Sequence, residues 1–248
     1  MARTKKSDGG VTFAEVVGSP GVRPRFTGFM RGMFPLLLFM FLAGFFLRAA
    51  LPYPDVARST AGLALVALCA GLALVLYAGE RRLASYFKGA QGEEQVARAL
   101  YLLPATFTVF HGLLLRGAAS DMDHVVVGPT GVFVVETKNW SGTMSVSGQD
   151  ILYDGKRPDR SPLEQVKQSV GTLQKHLSEK LGRSVPVSPI ICFAGGRLEG
   201  GMQGVAGVML CGPDAMQRVL IEPGEFPLSE AEVAAVSGEL RHMDRRNA

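Results

Sequence analysis

The chain has 248 residues, of which 47% are hydrophobic and 19% are charged, with 26 Lys and Arg against 22 Asp and Glu. This composition excludes an intrinsically disordered chain, which combines low hydrophobicity with a high net charge. The cysteines, Cys69, Cys192 and Cys211, are too few and too scattered for a disulfide framework or a zinc site, and they fit a reducing compartment.

Charge is distributed unevenly along the chain. Residues 1–90 contain 11 basic and 4 acidic residues, whereas residues 91–248 contain 15 basic and 18 acidic residues. The sequence pI of about 9.1 therefore reflects the N-terminal third and does not by itself indicate nucleic-acid binding. Residues 1–31 are predicted to form a basic cytoplasmic tail, mobile over residues 1–28.

Two long apolar stretches follow this tail, from Gly32 to about Pro52 and from Ser59 to Gly79. A helix needs roughly 20 apolar residues to cross the hydrocarbon core of a bilayer. The second stretch has this length without a charge, and the first has it if Arg48 reaches the interface. A cleavable signal peptide would begin nearer the N-terminus, and buried core helices would show a polar stripe. We therefore predict two transmembrane helices, forming a hairpin over residues 32–79.

Basic residues predict the orientation of this hairpin. Only Arg48 and Arg58 lie near the connection between the two stretches. The more numerous basic residues outside it are Arg3, Lys5, Lys6, Arg23, Arg25, Arg31, Arg81, Arg82 and Lys88. Because basic flanks stay in the cytoplasm, we expect a multi-pass protein of the cell (inner) membrane with both termini cytoplasmic.

From residue 91 the pattern changes to that of a mixed α/β domain. A helix is predicted from Gln91 to Leu103, with Glu93 on its inward face and Glu94 pointing away. A β-meander and a further hairpin follow, with strands over 106–115, 123–127, 131–139, 143–147 and 150–153.

A long helix then begins at a well-defined signal. Ser161 is a typical N-cap, Pro162 suits the first helical position, and Glu164 completes a capping box, so the helix is predicted to run to Leu181. The remaining predicted elements are strands over 187–193 and 205–210 and helices over 213–220 and 229–243.

Three polar residues of the meander are predicted to share one face of the sheet. Side chains alternate along a strand, so Glu136 and Lys138 project from the same face, about 6–7 Å apart along the strand. If the turn at Gly128–Gly131 pairs the two strands antiparallel, Asp123 lies near Glu136. Two carboxylates and water suit a hard cation such as Mg²⁺.

These residues occur in a longer pattern that resembles the nuclease-related domain (NERD) family. The pattern consists of Gly92-Glu93-x-x-Val96, the block from Asp123 to Gly142 containing Glu136-Thr-Lys138-Asn139, and Ser161-Pro-x-x-Gln165. The resemblance implies a restriction-endonuclease-like core, a mixed β-sheet flanked by helices, over residues 88–195. Residues 196–248 are expected to complete the soluble domain.

The resemblance also implies roles for individual residues. Asp123 and Glu136 would hold Mg²⁺ or Mn²⁺, and Lys138 would orient the attacking water and stabilise developing phosphate charge. Glu93 corresponds to the helical acid before the core, and Gln165 to the polar residue on the helix that follows it. A metal and an ammonium group suit phosphodiester cleavage, because negative charge accumulates during the reaction.

Each residue also has an ordinary structural explanation. Glu136 and Lys138 could be a solvated edge pair worth under about 1 kcal/mol, and Asp123 could cap a strand. Glu93 could be a helix-dipole partner in a first turn, and Gln165 a surface amide. His124 and Trp140 are expected to be packing residues.

The leading hypothesis is a membrane-anchored, Mg²⁺-dependent endo- or exodeoxyribonuclease, with DNA favoured by resemblance alone. Its nucleic-acid contacts are expected from four basic residues after the site, Lys156, Arg157, Arg160 and Lys167, although a solvated helix face explains them equally well. The alternatives are a catalytically silent nucleic-acid-binding or signalling module at the membrane, and a scaffold that functions through its hairpin. A lipid bilayer and a second copy of the chain are expected partners.

Overall fold

The computed structural model describes residues 13–20, 22–50, 57–115 and 121–247. Residues 1–12 of the predicted tail and residues 51–56 of the predicted hairpin connection lie outside these ranges. The chain forms two compact units, one over residues 22–90 and one that combines the residues up to 21 with those from 91 onwards.

The first unit consists of helix α1 (Val22–Ala50) and most of helix α2 (Ala57–Tyr101). Large apolar side chains are exposed on both helices, including Phe34, Phe41, Phe45, Leu63, Val66 and Leu74. Within the residues that the structure describes, neither helix offers an apolar segment sufficient to traverse a bilayer. The predicted pair of transmembrane helices is therefore not supported by the structure.

The second unit is built on a seven-stranded mixed sheet and a small three-stranded sheet. In chain order the strands are β1 (Glu15–Val17), β2 (Thr108–Leu113), β3 (Met122–Gly128), β4 (Gly131–Lys138), β5 (Thr143–Ser147), β6 (Asp150–Tyr153), β7 (Val187–Phe193), β8 (Arg197–Leu198), β9 (Gln203–Val205) and β10 (Val208–Cys211). The large sheet has the order β1-β2-β3-β4-β7-β10-β9, and the small one the order β6-β5-β8. Strands β2, β3 and β4 form an antiparallel meander, and β7 lies parallel to β4.

Helices cover both faces of the large sheet because its central strands are apolar on both sides. On one face Val125 and Val134 belong to a core that includes side chains of α3 (Pro162–Leu181) and α5 (Glu230–Asn247). On the other face Val126 and Val135 belong to a core that includes the C-terminal part of α2 and α4 (Met216–Ile221). The predicted mixed sheet flanked by helices is confirmed.

The β3–β4 hairpin aligns the strands that carry the predicted site. Gly128 pairs with Gly131 next to the turn, and His124 pairs with Val135 further along the antiparallel register. Continuing this register by one residue places Asp123 beside Glu136. The antiparallel pairing expected from the turn sequence is thus present in the structure.

Several sequence predictions need correction. Glu15–Val17 is strand β1, paired parallel with β2, and not part of a mobile tail. The helix predicted from residue 91 is the end of α2, which begins at Ala57. The single strand predicted over 205–210 is the β9–β10 hairpin, because Ala206 and Gly207 have φ values of 49° and 78° and reverse the chain.

Candidate active site

The end of β4 carries the centre of the candidate site. Glu136 and Lys138 lie on the same face of the sheet as Val134, which is the face covered by α3. Asp123 comes from the adjacent strand, and its Oδ2 accepts a hydrogen bond from the backbone N–H of Thr137 at 2.7 Å. The three residues predicted from alternation therefore lie together.

Gln165 joins Glu136 and Lys138 in a closed hydrogen-bonded triangle. Lys138 Nζ donates to Glu136 Oε1 at 2.6 Å and to Gln165 Oε1 at 2.9 Å. Gln165 Nε2 donates to the same Glu136 Oε1 at 2.6 Å. The Glu136 and Lys138 side chains are only 4% and 17% exposed. A solvated edge pair and a plain surface amide are thus excluded as explanations of these residues.

Helix α3 brings Gln165 to this triangle through its N-terminal turn. Ser161 is the N-cap, and its Oγ accepts a hydrogen bond from the backbone N–H of Glu164 at 3.4 Å. The backbone N–H of Gln165 donates to the Ser161 carbonyl at 3.2 Å. The predicted cap and helix bounds are confirmed, and they fix the position of Gln165 relative to the sheet.

Asp123 lies in a strongly electronegative environment. Burial raises the pKa of Asp123 well above its usual range, and repulsion from Glu136 and then from Glu93 raises it further. The Thr137 N–H and the Lys138 ammonium group act in the opposite direction and are weaker. Three carboxylates are thus brought close to one lysine, an arrangement that a cation would stabilise.

Glu93 reaches this cluster because α2 passes close to the end of β4. A Cβ atom on Gly92 would lie 2.6 Å from the Cβ atom of Asn139, so the glycine permits this close approach. Glu93 lies deep within α2, which begins at Ala57. It is therefore not a dipole partner in a first helical turn, which was the ordinary explanation of this residue.

The donor set of the cluster fits a hard divalent cation. Asp123 and Glu136 supply carboxylate oxygens, and Mg²⁺ commonly takes one or two carboxylates and keeps several waters. Within the part of the chain that the structure describes, no group of three or more His, Cys, Asp or Glu side chains is placed so that it could hold a metal ion. Binding of a cation by the two carboxylates of Asp123 and Glu136 stays a prediction.

Two buried histidines lie on the opposite face of the sheet. The Nδ1 atoms of His111 and His124 are 2.7 Å apart, and His124 Nε2 is 3.2 Å from Thr137 Oγ1. Burial lowers the pKa of His111 to about 4. Burial, followed by the neighbouring His111, lowers the pKa of His124 well below its usual value. The family resemblance had given the Thr137 carbonyl an assisting role at the cation, but sequence reasoning missed the Thr137 hydroxyl and His111, although their strand partners were available from the predicted meander.

The four basic residues predicted to bind nucleic acid are all exposed: Lys156, Arg157, Arg160 and Lys167. They lie between the end of the β5–β6 hairpin and the first turns of α3, close in sequence to Gln165. Arg157 forms an ion pair with Asp150 at 2.5 Å, which offsets part of the local positive charge. Their role in nucleic-acid binding stays a prediction.

Trp140 follows β4 and packs between aromatic side chains. Its ring centroid lies 5.0 Å from that of Tyr153 and 5.8 Å from that of Phe193. This agrees with the expected packing role of Trp140, which fixes the loop after the candidate site.

Comparisons with known proteins find similarity over part of the chain. Residues 88–194 match the model of the nuclease-related domain family (NERD). An uncharacterized protein of Bacillus anthracis is 43% identical over 60 residues, which cover 23% of this chain and 28% of that relative. No solved structure matches the chain. The family match supports the resemblance to NERD domains and suggests a nuclease-like function.

Proposed function

We propose that the second unit is a metal-dependent nuclease that hydrolyses phosphodiester bonds, with DNA as the substrate. The observation that carries this proposal is the buried triangle of Glu136, Lys138 and Gln165 at the end of β4, with Asp123 beside it. The match of residues 88–194 to a nuclease-related family supports the same class of reaction.

Each residue of the site would have its own role in the proposed hydrolysis. Asp123 and Glu136 would hold Mg²⁺ or Mn²⁺, which when bound supplies positive charge to stabilise the transition state. Lys138 would orient the attacking water and donate to the phosphate oxygen that gains negative charge. Gln165 would hold the Lys138 amine and the Glu136 carboxylate in fixed positions relative to each other. Glu93 would add negative charge beside Asp123 and strengthen attraction for the cation.

The direct test is DNA cleavage by the purified full-length chain in Mg²⁺ or Mn²⁺, with EDTA as the metal-free condition. Asp123→Asn, Glu136→Gln and Lys138→Met are each expected to lower the rate by about 100-fold or more, since each removes a charge that acts on the transition state. The matched controls, Glu179→Gln and Lys180→Met, change exposed residues near the far end of α3 and should keep the wild-type rate. A folded wild-type chain that leaves DNA intact with both metals would refute the proposal.

A silent nucleic-acid-binding module is the second candidate, and the exposed Lys156, Arg157, Arg160 and Lys167 favour it. The excess of acidic over basic residues in residues 91–248 as a whole opposes strong binding of a polyanion. DNA retardation in a gel without cleavage would support this candidate. Replacing Lys156, Arg157, Arg160 and Lys167 by alanine should then weaken binding and reduce its salt dependence.

Attachment to the cell membrane through residues 32–79 is also a proposal. It is supported by the apolar composition of this segment and by the exposed Phe34, Phe41 and Leu63 side chains. The full-length chain should sediment with membranes after a carbonate wash, and deletion of residues 32–79 should release it. Recovery of the full-length chain in the supernatant would exclude this attachment.

Pairing of two copies is a separate proposal, since two sites are needed to cut both strands of a duplex at once. Light scattering on the purified chain, corrected for bound detergent, should give twice the 26.5 kDa mass of the chain. A particle of single-chain mass that still cuts duplex DNA would contradict it.

A further inference from the structure

Two consecutive residues of strand β3 form hydrogen bonds with Thr137. The Thr137 backbone N–H donates to Asp123 at 2.7 Å, and the Thr137 hydroxyl shares a hydrogen bond with His124 Nε2 at 3.2 Å. Asp123 and His124 are consecutive, so their side chains leave opposite faces of the strand. One residue of β4 is therefore fixed by hydrogen bonds on both sides of the sheet.

On the face of the sheet opposite to α3, the hydrogen-bonded chain continues from His124 to His111. This residue is the register partner of His124 on β2, and the two Nδ1 atoms are 2.7 Å apart. At that distance one nitrogen donates and the other accepts. The residues His111 and His124 are only 5% and 0% exposed.

The histidine pair lies in an apolar core, where each buried polar atom needs a hydrogen-bond partner. The core on this face also contains Val126, Val135 and Phe133. A buried polar group without a partner costs more than the hydrogen bond itself contributes. A valine at position 137 would be apolar like these neighbouring residues. It would, however, leave His124 Nε2 without the hydroxyl group that it contacts. The Thr137 hydroxyl is therefore needed to satisfy a buried histidine pair.

Thr137 also lies between the two residues of the candidate site on β4. Its side chain points to the histidine face, whereas Glu136 and Lys138 point to the face covered by α3. Any shift of the Thr137 backbone moves both neighbours and also the N–H that orients Asp123. Misplacement of reacting groups by about 1 Å can cost roughly 100-fold in rate.

We propose that Thr137 is a positioning residue, whose hydroxyl is anchored by His124 and His111 and whose backbone N–H orients the Asp123 carboxylate. This inference rests on the proposed nuclease function and concerns the same site. It assigns a role to the residue between Glu136 and Lys138, and it gives the two histidines a purpose beyond packing.

The test compares Thr137→Val, which keeps the shape and removes the hydroxyl, with Thr137→Ser, which keeps the hydroxyl. In the full-length chain, Thr137→Val should lower kcat for DNA cleavage about 10- to 100-fold with KM within about twofold. Thr137→Ser should stay within about threefold of wild type. Amide hydrogen exchange at residue 137 should accelerate at least about tenfold in Thr137→Val alone, while the melting transition stays cooperative.

The outcomes separate this inference from the proposed function. Wild-type cleavage and unchanged amide exchange in Thr137→Val would overturn the positioning role and leave the nuclease intact. Equal losses in the serine and valine variants would also overturn it, because the hydroxyl would then not matter. A wild-type chain that cleaves nothing, while amide exchange still distinguishes the two variants, would refute the nuclease and retain the positioning role. Should Thr137→Val not fold, Thr137→Cys replaces it with the same expectations.

Discussion

Lys138 is the residue on which the electrostatics of the candidate site depend. Its ammonium group donates to Glu136 and Gln165, and it also opposes the charge that raises the pKa of Asp123. Because Glu136 is almost fully buried, this carboxylate cannot recover its solvation by rotating into water. The convergence of like charges at this site therefore has some cost in stability.

Lys138→Met is expected to destabilise the fold, because it leaves a buried carboxylate without its cation. The loss should be about 3–5 kcal/mol at neutral pH, which is the range found when one partner of a buried ion pair is removed. Urea unfolding of the variant measures this loss. The double variant Glu136→Gln/Lys138→Met should recover much of it, since no charge is then left unpaired, and failure to recover would show that Lys138 stabilises mainly through packing.

His111 should make the stability of the fold depend on pH. Its pKa is about 4 in the folded chain, against 6.5 for an unperturbed histidine. Between these values the unfolded chain binds a proton that the folded chain does not, so stability is complete above pH 6.5 and falls as the pH approaches 4. The total effect is at most about 3.5 kcal/mol, from about 1.4 kcal/mol per unit of pKa.

Urea unfolding at pH 7.5 and pH 5 tests this dependence. His111→Gln should lose less stability on acidification than the wild type does, whereas the control His242→Gln, at an exposed residue of α5, should follow the wild type. Parallel wild-type and His111→Gln curves would contradict the assignment.

At the scale of the elements, local sequence signals were sufficient to predict some features of the helices and strands. Helix α3 was predictable from the sequence, because its N-cap serine and its first-turn proline are encoded within the segment itself. The shared face of Glu136 and Lys138 was likewise predictable, since it follows from strand alternation alone. These features need no knowledge of distant partners.

Features that depend on distant partners were not predictable in this way. Strand β1 exists only because β2 lies beside it, and three residues carry no strand signal of their own. The roles of Thr137 and His111 depend on register across two strand pairs. Gln165 was identified by resemblance, because nothing within α3 distinguishes it from an ordinary surface amide.

The approach of α2 to the end of β4 can be tested at Gly92. Gly92→Ala should destabilise the second unit and slow cleavage, because the added Cβ atom would meet Asn139 and move Glu93 away from Asp123. Alanine usually stabilises a helix relative to glycine by about 1 kcal/mol. A loss of stability in Gly92→Ala would therefore be opposite in sign to the effect of helix propensity. Thermal unfolding and cleavage rates measure the effect.

Gly171→Ala is the matched control for this variant. Gly171 is a helical glycine of α3, and a Cβ atom there meets nothing within 4 Å. It should therefore be neutral or slightly stabilising. Equal behaviour of the two variants would show that the contact with Asn139 does not limit the position of α2.

At the scale of the whole molecule, the second unit is discontinuous in sequence. It combines residues up to 21 with residues from 91 onwards, and residues 22–90 form a unit of their own between them. A fragment that starts at residue 88 would contain the whole family match but would lack β1. It would therefore expose β2 as an unprotected edge strand, which invites association between chains.

A fragment of residues 88–248 is accordingly expected to aggregate more than one in which residues 13–21 are joined to residue 88 through a flexible Gly-Ser linker. Size-exclusion chromatography over a range of concentrations compares them, and the linked fragment should remain the smaller particle. Replacing Val16 by proline in the linked fragment should abolish its advantage, since proline cannot donate to a strand. Indistinguishable elution of the two fragments would show that β1 does not protect the edge.

The pairing of β1 with β2 also has a consequence for how the chain is made. Glu15 pairs with Thr108 and Val17 with Phe110, so β1 must wait until both long helices have been synthesised before it can pair with β2. Contacts between residues so far apart form slowly, because closing a long loop costs entropy before it gains any interaction. The margin of the sheet is therefore expected to be completed late in folding, after the hairpin that bears the acidic cluster has already formed.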